Sequence, residues 1–504
     1  MSHSTWTRRD FLRRAALALP ALAALPAAVA APPASRTGRP GRAPLEVVVV
    51  GAGLAGLAAA YELMALGHHV TVLEAQQRPG GRVYTLREPF ADGLYAEAGA
   101  LDFSDSYRHL LRYVKAFNLP TMTLAGRPPE TLVYHLRGKR LAVKQGPRAD
   151  RLDWPFALSP EERKLGLGGM FAKYFGEVDK IGDPTAPGWR LDPWKAYDAM
   201  SLAEYLKRQG ASSDAVELLG DGLAFGYGWS QVSALHRLLS DVALFCLGQP
   251  VKAIPGGTDL LPKAFAAALG GRIRYGAPVE KILQEPGRVR AVFRLGGAEQ
   301  LVAADRLICT APCPVLRKVV FGPELPARKR QILERVHPVT RTYLQARSRF
   351  WAAAGEAGNA FTDLPIQLVT EQPLGRPAGQ GGRGILECHM KGPEAARVGG
   401  LDRAAQLAFA VDGMEKVHPG FKGHFETGTV VDWAADPWAG GGYAWWKPGQ
   451  LTDWMPELAR PEGRVHFAGE HTSLLGRTME GALESGNRAA REVHEAPRPL
   501  SPQA

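Results

Sequence analysis

The stretch that most restricts what this chain can become is Glu46-Val47-Val48-Val49-Val50, followed at once by Gly51-Ala52-Gly53-Leu54-Ala55-Gly56. A β-branched run without polar alternation suits a strand buried on both faces of a parallel sheet. Leu57 to Leu66 is rich in Ala and Leu and ends at Gly67, the pattern of a helix with a C-terminal glycine. His69-Val70-Thr71-Val72-Leu73 reads as a second strand and delivers Glu74, 18 residues beyond Gly56. Three glycines at this spacing mean little alone. Set between a strand and a helix, with an acid about 20 residues further on, they specify a βαβ unit that holds a dinucleotide. Gly51 permits the tight turn, Gly53 lets the backbone approach a pyrophosphate at the helix N-terminus, Gly56 lets helix and strand pack closely, and Glu74 can accept ribose hydroxyls. The fold class predicted is α/β with a doubly wound parallel sheet.

Past Glu74 and Ala75 the chain continues Gln76-Gln77-Arg78-Pro79-Gly80-Gly81-Arg82. A second glycine turn at Gly81 with the Arg82 guanidinium can hold the far half of a long dinucleotide, because Arg meets phosphate oxygens with a fork of donors. Through Thr85 this stretch resembles the flavoprotein amine oxidases, the group of monoamine, polyamine and L-amino acid oxidases, in which E-x3-R-x-G-G-R-x-x-T follows the second strand. Ala96-Glu97-Ala98-Gly99-Ala100 looks like that family's loop near the flavin ring. Ile254 to Leu260 resembles its return to the cofactor domain, and Pro278-Val279-Glu280-Lys281-Ile282 its adenine-side strand, where the Val279 backbone meets the base. Val465 to Glu470, Met479 to Ala482 and Ser485-Gly486 are similar to its closing motif. The resemblance implies a Rossmann-like FAD-binding domain from 45–105, 250–320 and 455–495, with an interleaved α+β substrate domain from 106–249 and 321–454. It also implies that Gly99 and Ala100 lie at the flavin, that Glu470 serves the ribityl-pyrophosphate region, and that the Met479 amide meets the flavin pyrimidine edge. Met479 opens a helix-forming run to Val493, so the positive end of a helix would face the ring edge that accumulates negative charge on reduction.

The two inserts carry the substrate side. The first is helix-rich by pattern, with an S-x-x-E capping box at Ser201. In the second, Arg341-Thr342-Tyr343-Leu344-Gln345 alternates like a strand. By the resemblance, Arg341 stands where many family members carry a lysine that holds a water at flavin N5. Arg keeps the charge but presents a planar fork, which leaves oxidase and dehydrogenase both open. Tyr443, after Gly440-Gly441-Gly442, stands where an aromatic forms one wall of an amine cage, while the opposite wall falls on Thr478. Gly442 stands where covalently flavinylated monoamine oxidases have Cys, implying non-covalent FAD. L-Amino acid oxidases place an Arg after the flavin loop; here Asp102 follows Leu101, which would repel a carboxylate and favour amines, unless Arg341 or another guanidinium replaces the missing partner.

The activity implied is an FAD-dependent amine oxidoreductase: hydride transfer from the amine to the flavin, imine hydrolysis, and reoxidation by oxygen to hydrogen peroxide, with no metal site. An L-amino acid oxidase or oxidative decarboxylase is the alternative within the family. A carotenoid- or porphyrinogen-type desaturase fits less well, given Arg341 and the Tyr443 segment. A flavin-binding redox partner without small-amine turnover is a second alternative.

Arg8-Arg9-Asp10-Phe11-Leu12 precedes an Ala/Leu run that closes on Ala28-Val29-Ala30, and resembles a twin-arginine signal over 1–30, which exports folded proteins to the bacterial periplasm or beyond. Residues 31–44 read as a flexible linker and 496–504 as a flexible tail. These first 44 residues hold +6 of the formal net charge of +11. The remaining +5, dispersed over 460 residues, is too little for a nucleic-acid footprint. No other apolar run reaches the length of a membrane span. The expected partners are a small amine or amino acid, oxygen and the twin-arginine export machinery; no segment specifies an oligomeric state. Four cysteines make no disulfide framework, and Cys309 and Cys313 are expected to be structural.

Overall fold

The computed structural model describes residues 43–124, 131–144, 153–223, 228–246, 250–333, 337–374 and 381–497. The expected export signal, the linker up to residue 42 and the tail from 498 lie outside the described residues. The glycine-rich unit forms as its residues dictate: β1 (Glu46–Val50), helix α1 (Leu54–Ala65) and β2 (His69–Leu73). Three further strands join them, β3 (Ile273–Arg274), β4 (Arg306–Cys309) and β5 (Val465–Phe467). All are parallel, in the order β3-β2-β1-β4-β5. Val47 to Val50 are buried, as an unalternating run requires. Gly67 follows α1 with φ +85°, its N–H bonded to the Met64 carbonyl at 3.0 Å, which ends the helix.

Nine of the twelve residues of α1 are buried, so this helix is enclosed on all sides. Helix α2 (Met479–Glu495) crosses it, and at the crossing a Cβ on Gly486 would sit 2.2 Å from the Ala55 carbonyl. Only glycine lets the two backbones approach that closely. Beside the parallel sheet, Ala298–Ala304, Arg288–Leu295 and Val279–Glu285 form an antiparallel ladder, with Val320–Gly322 added in parallel.

The other large sheet has seven strands, ordered Phe425–Asp432, Val339–Ala346, Gly384–Lys391, Leu368–Gln372, Glu356–Thr362, Thr131–Leu136, Lys139–Lys144. Its last two strands come from the first insert, whose pattern predicts mainly helices. That insert does hold helices, including the one opened by the Ser201–Glu204 capping box, but it lends the sheet a hairpin as well. The turn is Arg137-Gly138, both at positive φ (48° and 73°), the twist that two-residue hairpins need. Among the described residues, no helix is long and apolar enough to cross a membrane.

Candidate active site

One elongated cavity runs from the C-terminal ends of the parallel strands to the seven-stranded sheet. At its first end, the turn after β1 holds Gly51 at φ +99°, and a Cβ there would lie 2.6 Å from Thr310 Oγ1. Gly53 caps α1 without a side-chain hydrogen bond, and a Cβ on it would meet no atom within 4 Å. The first N–H groups of α1 are therefore presented to open space, with the positive end of the helix behind them. Gly81 stands across from it, its Cβ position 3.6 Å from Gly53 Cα. Gly56 does not line the cavity; a Cβ there would come 2.0 Å from the Gly51 carbonyl, so this glycine closes the turn itself. Glu74 lines the cavity with Ala75 and Val279, its carboxylate steadied by the N–H groups of Ala52 and Gln76, the latter at 2.8 Å. Burial pushes its pKa up, and those donors hold it partly down.

Further along, Arg82 Nη1 donates to Glu470 Oε1 at 3.0 Å and to the Gly442 carbonyl at 2.8 Å. Glu470 also accepts from the N–H groups of Ala444 (3.0 Å) and Arg477 (2.7 Å). Burial raises its pKa, but Arg82 and these donors more than offset that and leave it below the ordinary value. Glu470 thus ties three chain segments together while facing the cavity. At Gly99 a Cβ would fall 1.6 Å from the Arg82 carbonyl, which explains the glycine in that loop. Ala100 lines the cavity beside it.

At the far end the strand Val339–Ala346 is buried throughout. It carries Arg341 into the cavity wall, with Nη1 on the Glu97 carbonyl at 3.0 Å and Nε 3.4 Å from Glu387 Oε1. Asp102 also lines the cavity; burial lifts its pKa to about 6, partly countered by Arg341. Tyr443 and Trp433 stand in the same wall, the Trp433 indole held by the Ala98 carbonyl at 2.8 Å. Met479 begins α2 at the cavity, so this helix too directs its N-terminus there. Thr478 caps α2 through Gly481 N–H (3.0 Å) and donates to the Leu475 carbonyl (2.6 Å).

Several further residues line the cavity without any mark in the sequence. Ser240 and Asp241 come from a π-helical segment, Leu238–Cys246, a geometry frequent at functional sites. Arg477 lies over the Tyr443 ring, Cζ to centroid 4.7 Å, so a cation and not an aromatic faces that wall. His389 lies opposite Arg341 in the sheet register; burial, with Arg341 and Lys391 nearby, pushes its pKa far down, so its ring is neutral, and Nε2 has no hydrogen-bond partner. No local spacing marks these positions, because tertiary packing alone assembles them.

This geometry fits FAD. An uncapped helix N-terminus between two glycine turns suits a pyrophosphate, Glu74 suits a ribose, and the cavity between them is continuous with the aromatic wall. The sequence model of the family described as flavin containing amine oxidoreductase matches residues 54–494. The chain belongs to that family.

This amine oxidoreductase is 32% identical over 466 residues to the Bacillus subtilis (strain 168) protein named "Putative L-amino-acid oxidase YobN", covering 90% of this chain and 95% of that one. It is 29% identical to the L-amino-acid oxidase of Protobothrops flavoviridis, over 90% and 89% of the two chains. Its fold is shared with wild-type putrescine oxidase bound to putrescine (TM-score 0.72, 22% identity, 90% and 100% covered). It is likewise shared with cyclohexylamine oxidase from Brevibacterium oxydans IH-35A (TM-score 0.70, 22% identity, 90% and 99% covered). The enzyme is an FAD-dependent oxidoreductase of CH–NH2 donors. Gly442 offers no nucleophile for a covalent flavin bond, and a Cβ there would lie 2.3 Å from Val339 Cγ2.

Proposed function

We propose that this amine oxidoreductase oxidises α-amino acids. The observation that carries the reading is the charge lining the inner cavity: two guanidiniums, Arg341 and Arg477, beside two acids, Asp102 and Asp241. Charges of both signs in a largely buried cavity suit a zwitterion, whereas Asp102 alone would have favoured a simple amine. The names of the relatives from Bacillus subtilis and Protobothrops flavoviridis support the same substrate class.

In this reading Gly51, Gly53, Glu74, Ala75, Gly81, Arg82, Gly99, Ala100, Val279, Glu470 and Met479 hold FAD. Bound FAD supplies a hydride acceptor, so that the amino acid leaves as an imino acid, which water converts to a 2-oxo acid and ammonia, and oxygen takes the electrons to give hydrogen peroxide. Tyr443 and Trp433 shape the space and exclude water. Arg341 keeps a fixed positive charge there through its ion pair with Glu387. His389 lines the same cavity as a neutral imidazole.

Purified enzyme, supplied in turn with L-amino acids and with the amines left by their decarboxylation, should form peroxide faster from the amino acids. Equal or faster turnover of the amines would return the assignment to a plain amine oxidase. We also infer that the protein is exported folded by the twin-arginine route, on the strength of Arg8-Arg9 and the apolar run after them. Replacing both by Lys should keep the enzyme out of the periplasmic fraction; unchanged export would refute the route.

A further inference from the structure

Arg477 holds a backbone conformation that side-chain-bearing residues rarely adopt. Its φ is +71°, in the left-handed region. Such strain persists only where the surroundings over-determine it, and it clusters at ligand sites. Its N–H bonds Glu470 at 2.7 Å, and its Nη1 donates to both oxygens of Asp241 at 2.8 Å each. The guanidinium lines the cavity against Tyr443, with 13% of the side chain exposed. Its Nη1 also donates to Ser240 Oγ at 3.3 Å, and its Nε, like that of Arg341, is buried without a hydrogen-bond partner.

The two cavity guanidiniums differ in how fully their charge is answered. Arg341 has Glu387 at 3.4 Å, the Glu97 carbonyl at 3.0 Å and the field of Asp102. Asp241 instead serves two cations at once, since Arg237 Nη1 also lies 2.8 Å from it. Arg477 therefore holds only a share in one carboxylate. The surplus of positive charge registers on Lys391, which burial together with Arg237 and Arg477 pushes down to about 7. A desolvated guanidinium that shares its one carboxylate with a second cation is a site for an anion, which it can bind with charge-assisted hydrogen bonds.

We propose that Arg477 is the carboxylate anchor of the substrate site, a specificity-determining residue that takes the α-carboxylate where its guanidinium lines the cavity while Arg341 stays in its ion pair. This inference rests on the amino-acid reading above. Titration calorimetry of the holoenzyme with phenylacetate and with phenylacetamide, which share a shape and differ in charge, tests it directly. Arg477→Gln should weaken phenylacetate by about tenfold or more and leave the amide little changed. It should also lower the ratio of kcat/KM for phenylalanine over phenethylamine by a similar factor. Arg477→Gly, which accepts the left-handed backbone without strain, supplies a second variant should the glutamine one misfold. If phenylacetate binding is lost in Arg341→Gln and kept in both Arg477 variants, the anchor assignment is overturned while the amino-acid reading stands. If the wild type oxidises no amino acid and binds the acid no better than the amide, that reading fails and the anchor with it.

Discussion

Removing the hydration of Arg341 and Glu387 costs several kcal/mol, which their attraction offsets only while both are present. Arg341→Met leaves a carboxyl that is 0% exposed and whose pKa burial already pushes upward. Stability should fall by about 3 kcal/mol, and adding Glu387→Gln should recover most of it. Thermal unfolding of the four proteins in that double-mutant cycle measures the coupling, and additive effects would show that the two side chains do not act as a pair. Asp102 gives a second test, through pH. Its pKa, raised by burial to about 6, lies above its unfolded value near 3.8. The folded chain thus holds the proton more tightly. The contribution of Asp102 to stability is complete below about pH 4 and is lost as pH rises through about 6. Asp102→Asn, neutral throughout, should gain on the wild type between those limits by about 2–3 kcal/mol and no further above them. A difference independent of pH would mean that the fold does not raise the Asp102 pKa. Arg341, Tyr443 and Asp102 were legible as residues because each stands at a fixed offset from a motif. His389, Asp241 and Arg477 were not, since their meeting depends on a sheet register and a π-helical turn that no local pattern encodes.

Between element and element, one glycine motif does two physically separate jobs. A methyl group on Gly53 would meet nothing within 4 Å, whereas on Gly56 it would lie 2.0 Å from the Gly51 carbonyl. Gly53→Ala should therefore leave the apoprotein's unfolding temperature within about 1 °C of wild type, since exposed, unstrained changes cost little, yet weaken FAD by crowding the pyrophosphate. Gly56→Ala should destabilise the apoprotein itself, by about 1–3 kcal/mol, as overpacking does. Apoprotein melting and flavin titration together separate the two; equal losses of stability would contradict the division of labour. The βαβ unit, the Ser201 capping box and the helix at Met479 were readable because each is specified within about 20 residues by period, cap and glycine. The Thr131–Lys144 hairpin was missed in a segment that reads as mainly helical, and it joins a sheet whose other strands lie at Val339 and beyond. Such non-local pairing has no sequence period to announce it.

Across the whole molecule, the cavity is a seam. Glycines and Glu74 reach it from the parallel sheet, Arg341 and His389 from the seven-stranded sheet, and Asp241 from the π-helical segment, while α2 joins them through Met479 and the preceding Arg477. A ligand that binds only when these parts are assembled stabilises all of them together, by about 4 kcal/mol at a thousandfold excess over Kd. Stripping the flavin should thus lower a single unfolding transition seen alike by calorimetry and by tryptophan fluorescence, and adding FAD back should raise it in proportion to the logarithm of its concentration. The bonds of Arg341 and Tyr343 to the Glu97 carbonyl and of Trp433 to the Ala98 carbonyl argue for one transition, because they fasten the seven-stranded sheet and the segment that follows it to the loop of the dinucleotide half. If instead the apoprotein melts in two steps and FAD moves only one, the seven-stranded half folds independently of the dinucleotide half, and the seam forms only when the flavin draws the two together.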